Sequence, residues 1–236
     1  INGNDSALDE GAALYWSTSI GVELGPDASA EAIQDRMEEH IIFANDAAAV
    51  KAMRKSLNAL DIDGEVVIGE GERDKAPMLF IGEKVGTKKG PKVDIALDPL
   101  EGTTICATGG NNALTVIAFS EKGGFLNAPD VYMDKIAIGG NLPKGIIDID
   151  KEPEINIKNL AKGLKKEVSD IVVCILDRPR HEDIIAKCRK AGARIMLISD
   201  GDVSAIIATA NPDTGVDMYL GIGGAPEGVL AAAALR

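Results

Sequence analysis

Carboxylates gathered at turns are the residues of this chain whose type and spacing could do chemistry. Gly69-Glu70-Gly71-Glu72-Arg73-Asp74 follows a short β-prone run and sets three carboxylates within five residues. Such groups repel one another unless a cation neutralises them. Hard cations such as Mg2+ take oxygen ligands, usually one or two carboxylates together with phosphate oxygens. The glycines free the turn that aims those side chains. A solvated acidic turn is the competing reading. In the second candidate, Asp94-Ile95-Ala96-Leu97-Asp98-Pro99-Leu100-Glu101-Gly102-Thr103-Thr104, an apolar run delivers Asp98 into a proline-containing turn, with Glu101 three residues on. Gly102 lets the backbone come close, and the Thr103 hydroxyl could orient a water for attack. The competing reading here is an Asp-Pro turn capping a helix at Thr103 or Thr104.

The elements that must position these groups can be read from periodicity and punctuation. Residues 27–60 read as helical, with capping residues at Asp27 to Glu31 and an Ala, Lys, Met and Leu-rich stretch from Ala47 to Leu60. Asp63-Gly64 breaks that pattern. Short β-prone runs follow at 65–69, 78–81 and 93–97, and 112–119 reads as a buried strand. Beyond about residue 150, strands at 171–176, 194–198 and 216–221 alternate with helices at 181–191, 203–210 and 228–235. This rhythm predicts an α/β chain in which a mixed N-terminal sheet precedes parallel βαβ units. The corresponding division is an N-terminal metal-binding subdomain, 1–150, and a C-terminal βαβ subdomain, 151–236. Ligands of such sheets sit beyond the carboxyl ends of the strands. Asp177-Arg178-Pro179-Arg180, Asp200-Gly201-Asp202 and Gly223-Gly224-Ala225-Pro226-Glu227 each follow a strand, and that placement tells more than any one cluster.

Composition excludes several partners. The chain has 25 Lys and Arg against 37 Asp and Glu, a net charge of −12, so it carries no surplus of positive charge for nucleic-acid phosphates. Aromatic residues make up 3%, too few for base-stacking platforms. Three cysteines, Cys106, Cys174 and Cys188, lack paired or zinc-like spacing and fit a reducing compartment. No apolar run approaches a membrane span and no secretory signal opens the chain, so the expected location is cytoplasmic with no membrane partner. The chain begins at Ile1 and is expected to be a fragment.

With these motifs set out, the sequence resembles a family. Asp98-Pro99-Leu100-Glu101-Gly102-Thr103 is similar to the signature of the lithium-sensitive sugar- and inositol-phosphate phosphatases. Gly69-Glu70-Gly71-Glu72, Ala76-Pro77-Met78, Ala128-Pro129-Asp130-Val131-Tyr132-Met133 and Gly221-Ile222-Gly223-Gly224-Ala225-Pro226-Glu227-Gly228 resemble class II fructose-1,6-bisphosphatase. The likeness runs from about Asp46 to the last residue.

The resemblance implies a layered α/β/α fold and hydrolysis of the 1-phosphate of fructose 1,6-bisphosphate with Mg2+ or Mn2+. It implies one metal on Asp46 and Glu70, and a second on Asp98, Glu101 and Glu227. Thr103 would position the attacking water, with Glu70 and Asp98 as further catalytic groups. Glu101, Gly102, Thr103, Tyr132, Arg178, Pro179, Arg180, Asp200, Gly201, Asp202 and Gly224 would contact the sugar bisphosphate. The arginines suit its non-reacting phosphate, and the two aspartates its hydroxyls.

Blander readings stand beside these: an Arg178 or Arg180 ion pair with Asp177, packing for Tyr132, a solvated helix face for Asp46 and a structural role for His181. Ile42 stands where the family usually carries a lysine that stabilises transition-state charge. The family also continues past the helix in which this chain stops at Arg236. Those departures keep open a non-catalytic phosphosugar- or metal-binding relative. Sedoheptulose 1,7-bisphosphate and inositol phosphates are the alternative substrates, and a homo-oligomer is also left open.

Overall fold

A computed structural model describes residues 45–69, 79–140 and 142–236. Glu70, Glu72, Asp74, Ile42 and the segment 27–44 expected to be helical lie outside the described residues. The chain is helical over 45–58 (α1). It continues through β1 (Asp63–Ile68), β2 (Lys84–Val85), β3 (Lys92–Glu101), α2 (Thr103–Thr108), β4 (Leu114–Glu121), β5 (Tyr132–Ile138), α3 (Pro153–Leu164) and β6 (Val172–Leu176). The last elements are α4 (Glu182–Ala191), β7 (Arg194–Ile198), α5 (Asp202–Ala208), β8 (Met218–Gly224) and α6 (Ala225–Ala234).

Two four-stranded sheets result. The first has the order β2-β1-β3-β4, with β1 parallel to β3 and the two outer pairs antiparallel. The second has the order β5-β8-β6-β7, with β8, β6 and β7 parallel and β5 antiparallel on the edge. A mixed sheet followed by parallel βαβ units is thus the architecture. β5 precedes residue 150 in sequence and yet belongs to the second sheet.

Side-chain alternation distributes the core. On β3, Ile95 and Leu97 pack with Val50, Met53 and Leu57 of α1, while Ala96 between them packs with Leu230 of α6. Val66 and Ile68 of β1 have the same parity but join opposite clusters, because the β1–β3 register shifts between them and turns the strand over. On the second sheet, Val173, Ile175 and Met218 face α3 and α4, and Cys174 and Tyr219 face α5 and α6. Leu230 and Ala231 of α6 therefore serve different sheets. The Ala-rich α6 is thin enough to share the central layer with α5, giving α1, first sheet, α5 with α6, second sheet, then α3 with α4.

Several local expectations need correction. Leu79 to Gly82 forms a turn and not a strand: Gly82 has φ 92°, its N–H donates to Val66 C=O at 2.7 Å, and the chain then enters β2. β4, at the sheet edge, is half-buried on one face and exposed on the other, where Ile117 and Phe119 lie, and is not the buried strand expected. β5 is hard to read from sequence because its first three residues, Tyr132, Met133 and Asp134, are exposed and a charged pair, Asp134-Lys135, sits mid-strand. α3 carried a readable signal in Pro153 at its start and in buried Ile157, Leu160 and Ala161. Among the described residues, no helix is long and apolar enough to cross a membrane.

Candidate functional site

The carboxyl end of β3 meets those of β7 and β8 across the central helical layer. On β3 the pairing with β4 shifts between Asp98 and Glu101, so Pro99 and Leu100 bulge out of the ladder. Pro99 has no N–H to lose there. Its carbonyl accepts the Thr115 hydroxyl at 3.0 Å, and Asp98 Oδ1 accepts the Leu100 N–H at 2.9 Å. Asp98 thus caps its own turn and not the helix that follows. The bulge aims Asp98 and Glu101 toward the second sheet.

The helices after these strands are capped reciprocally. α2 and α5 have Gly102 and Gly201 as N-caps, with φ of 84° and 83° and no side-chain cap of their own. The acid before each glycine serves the other helix. Glu101 Oε1 accepts the Val203 N–H at 3.0 Å, and Asp200 Oδ2 accepts the Thr104 N–H at 3.3 Å. A Cβ on either glycine would meet Ile105 Cδ1 at 3.3 Å, so one apolar side chain is wedged between both turns. These crossed bonds fix Glu101-Gly102-Thr103 and Asp200-Gly201-Asp202 against each other.

The electrostatics are those of crowded acids. Glu101 is buried, and that burial, with repulsion from Asp98, Asp202 and Glu227, pushes its carboxyl up to about 8 against the opposing Val203 bond. Glu227, in the first turn of α6, has its Oε2 buried without a hydrogen-bond partner. A Cβ on Gly224 would collide with that oxygen, so glycine is what allows the carboxylate to fold back there. Among the described residues, one cation is paired with these acids. Lys135 of β5 is engaged with Asp202 Oδ2 at 2.6 Å, and Tyr219 donates to the same oxygen at 3.4 Å. Burial and the Asp202 charge push the Tyr219 phenol well above its ordinary value.

The remaining candidates surround these carboxylates. Arg180, exposed on the short 3-10 turn after β6, donates from Nε to Ile222 C=O at 3.0 Å and lies over the Tyr132 ring at 4.9 Å from its centroid. Tyr132 is 66% exposed, which rules out core packing. Arg178 Nη1 donates to the Asp177 carbonyl at 3.1 Å. Pro179 opens the same turn. His181 is fully buried and structural: Ile222 N–H donates to Nε2 at 2.8 Å, leaving Nδ1 to donate to Leu176 C=O at 2.8 Å. Asp46 lies in the first described turn of α1, beside Asn45, whose Nδ2 reaches Cys106 Sγ of α2 at 3.4 Å. Burial raises the Asp46 carboxyl, but Asp46 is not among the charges acting on Glu101.

Asp98, Glu101, Asp202 and Glu227 are therefore brought together. Asp46 is not among the charges that act on Glu101, and Glu70 lies outside the described residues. Among the described residues, no three His, Cys, Asp or Glu side chains form a ready-made metal cluster. The orphaned Glu227 oxygen and the mutual repulsion on Glu101 still make the donor set one that suits a hard divalent cation. Lys135 has no signal in the sequence, because a lysine beside Asp134 reads as a solvated charge pair.

Comparison with known proteins gives the family. The family model of bacterial fructose-1,6-bisphosphatase, glpX-encoded, matches residues 27–236. Fructose-1,6-bisphosphatase 1 class 2 of Escherichia coli (strain K12) is 54% identical over 191 residues, 81% of this chain and 56% of the relative. D-fructose 1,6-bisphosphatase class 2/sedoheptulose 1,7-bisphosphatase of Prochlorococcus marinus (strain NATL1A) is 51% identical over 191 residues, 81% of this chain and 57% of the relative. Fructose-1,6-bisphosphatase class 2 of Haemophilus influenzae is 50% identical over 193 residues, 82% of this chain and 58% of the relative. The chain spans little more than half the length of these relatives. It belongs to the bacterial glpX-encoded fructose-1,6-bisphosphatase family.

Proposed function

We propose that this member of the family hydrolyses the 1-phosphate of fructose 1,6-bisphosphate, giving fructose 6-phosphate and inorganic phosphate. The observation that supports the reading is the crowding of acids from β3 and α6, where Asp98 and Glu227 repel Glu101 and Glu227 Oε2 is buried and unpartnered. A divalent cation, Mg2+ or Mn2+, held by these three side chains, with a second on Asp46 and Glu70, would neutralise phosphoryl oxygens and acidify the attacking water.

The chain's own residues supply the rest. Thr103, first residue of α2, orients the water in line with the scissile bond, and one carboxylate, Asp98 or Glu70, takes up one of its protons. The water oxygen bonds to phosphorus, the bond from phosphorus to the C1 oxygen breaks, and that oxygen takes the proton back from the carboxylate and leaves as the sugar hydroxyl. Arg178 and Arg180 hold the other phosphate, and Tyr132 supports Arg180 through its ring face. Asp200 and Asp202 accept sugar hydroxyls, with Gly201 and Gly224 giving the backbone close approach. Cys174 and Cys188 are buried and all three cysteines unpaired, which supports a reducing, cytoplasmic setting.

A phosphate-release assay with Mg2+ or Mn2+ tests this: turnover is expected, and none in folded, metal-loaded protein overturns it. The printed name of the Prochlorococcus relative favours sedoheptulose 1,7-bisphosphate as a second substrate. Comparing kcat/KM for the two sugars separates the readings.

A further inference from the structure

Lys135 is the one buried lysine among the described residues, and the reading above gives it no task. Its side chain is 4% exposed and that of its partner Asp202 7%, with 2.6 Å between Nζ and Oδ2. It shares a face of β5 with Ala137, whose neighbours Val203, Ala205, Ile206 and Ala231 are apolar. Taking both charges out of water costs more than an apolar pair of similar volume would. Stability is therefore a poor account of the pair, and geometry a better one.

The surroundings hold this pair in one arrangement. Tyr219 donates to the same Asp202 oxygen, so Oδ2 is fixed by two donors from neighbouring strands. A Cβ on Gly223 would collide with Asp202 Oδ2 and lie 3.0 Å from Lys135 Nζ, so the ion pair rests directly on the β8 backbone. With Oδ2 occupied, the second oxygen of Asp202 is left with a defined direction. Lys135 also follows Tyr132 by three residues on the same strand, opposite Gly221 where Tyr132 is opposite Gly224. One edge strand thus carries both the ring under Arg180 and the cation behind Asp202.

We propose that Lys135 is a positioning residue for sugar recognition: it fixes the Asp202 carboxylate so that its second oxygen accepts a hydroxyl of the sugar phosphate. The proposal rests on the sugar-phosphatase reading of the site but concerns binding of the sugar, and can be measured apart from turnover.

The test uses the full chain, as wild type, K135M, D202N and K135M/D202N. Calorimetry with fructose 6-phosphate measures binding, and kcat/KM is compared between fructose 1,6-bisphosphate and the sugar-free p-nitrophenyl phosphate. Loss of a hydrogen bond made by a charged group predicts roughly 10- to 100-fold weaker fructose 6-phosphate binding in each single variant. The double variant should lose no more than either single one, because Lys135 acts through Asp202. The kcat/KM for the sugar bisphosphate should fall about tenfold further than that for p-nitrophenyl phosphate.

Additive losses, or equal falls on both substrates, overturn the proposal. If K135M fails to fold, the double variant, which removes both charges, carries the comparison and must bind as D202N does. Wild type that binds fructose 6-phosphate without turnover, with binding lost in K135M, overturns the phosphatase reading and keeps Lys135. Normal turnover with unchanged K135M binding removes Lys135 alone, and wild type that neither binds nor turns over removes both.

Discussion

Replacing Glu101 by Gln tests whether the carboxylate cluster is held together against its own repulsion. Glutamine keeps an oxygen for the Val203 N–H, now accepted by Glu101 Oε1 at 3.0 Å, and removes the charge. In the metal-free chain the Glu101 carboxyl is raised from 4.5 to about 8, first by burial and then by Asp98, Asp202 and Glu227. A carboxyl that binds its proton more tightly when folded adds stability fully below pH 4.5, and that contribution is lost as the pH rises through about 8. At about 1.36 kcal/mol per pH unit the whole gap corresponds to roughly 5 kcal/mol. Water entering the site brings the measurable fall to about 2 kcal/mol, or about 4–8 °C in Tm for a chain of this size.

Thermal melts in EDTA from pH 5 to pH 8.5 measure it. Wild type should lose about that much across the window, while E101Q stays flat and exceeds wild type at pH 8. Adding Mn2+ at pH 8 should restore wild type and raise E101Q much less. A flat wild-type profile in EDTA, or E101Q less stable than wild type at pH 8, refutes the reasoning.

Three further outcomes are expected. G201A and G102A should each cost about 1–2 kcal/mol in urea unfolding, because φ of 83° and 84° strains any Cβ and Ile105 stands 3.3 Å away. R180K should raise KM for the bisphosphate several-fold, since lysine loses the planar contact over Tyr132 and the Nε bond to Ile222; an unchanged KM removes Arg180 from substrate binding. H181F should destabilise the fold by roughly 2–4 kcal/mol, by stranding the Leu176 carbonyl and Ile222 N–H in the core, and stability equal to wild type in urea unfolding would remove that role.

What was legible in the sequence was what neighbouring residues decide. Asp98 and Glu101 lie three apart in one turn, and the bulge that aims them is written locally in Pro99. The βαβ rhythm after residue 171 is equally local. What stayed hidden depends on pairing between distant segments. Tyr132 and Arg180 meet because β5 pairs with β8 and Arg180 bonds to β8. Lys135 reads as a solvated lysine until Asp202, 67 residues on, closes over it.

The reciprocal caps fall between these cases. Glu101-Gly102 and Asp200-Gly201 are the same pair of residue types, an acid then a glycine, each at a helix start. A glycine N-cap has no side chain to satisfy the first N–H groups of its helix, so acceptors must come from elsewhere. Two such helices, each preceded by an acid it cannot use, complete each other if brought together. Glu101 to Val203 and Asp200 to Thr104 are that solution. It has a consequence for the chemistry. The acids that would bind metal and sugar also supply the acceptor oxygens that join the first sheet to the second, so removing those acceptors should loosen the contact between them. G201A should then weaken metal binding through Glu101, although residue 201 is expected to touch no metal. Mn2+ affinity unchanged in a folded G201A chain would show that the two turns hold their places independently.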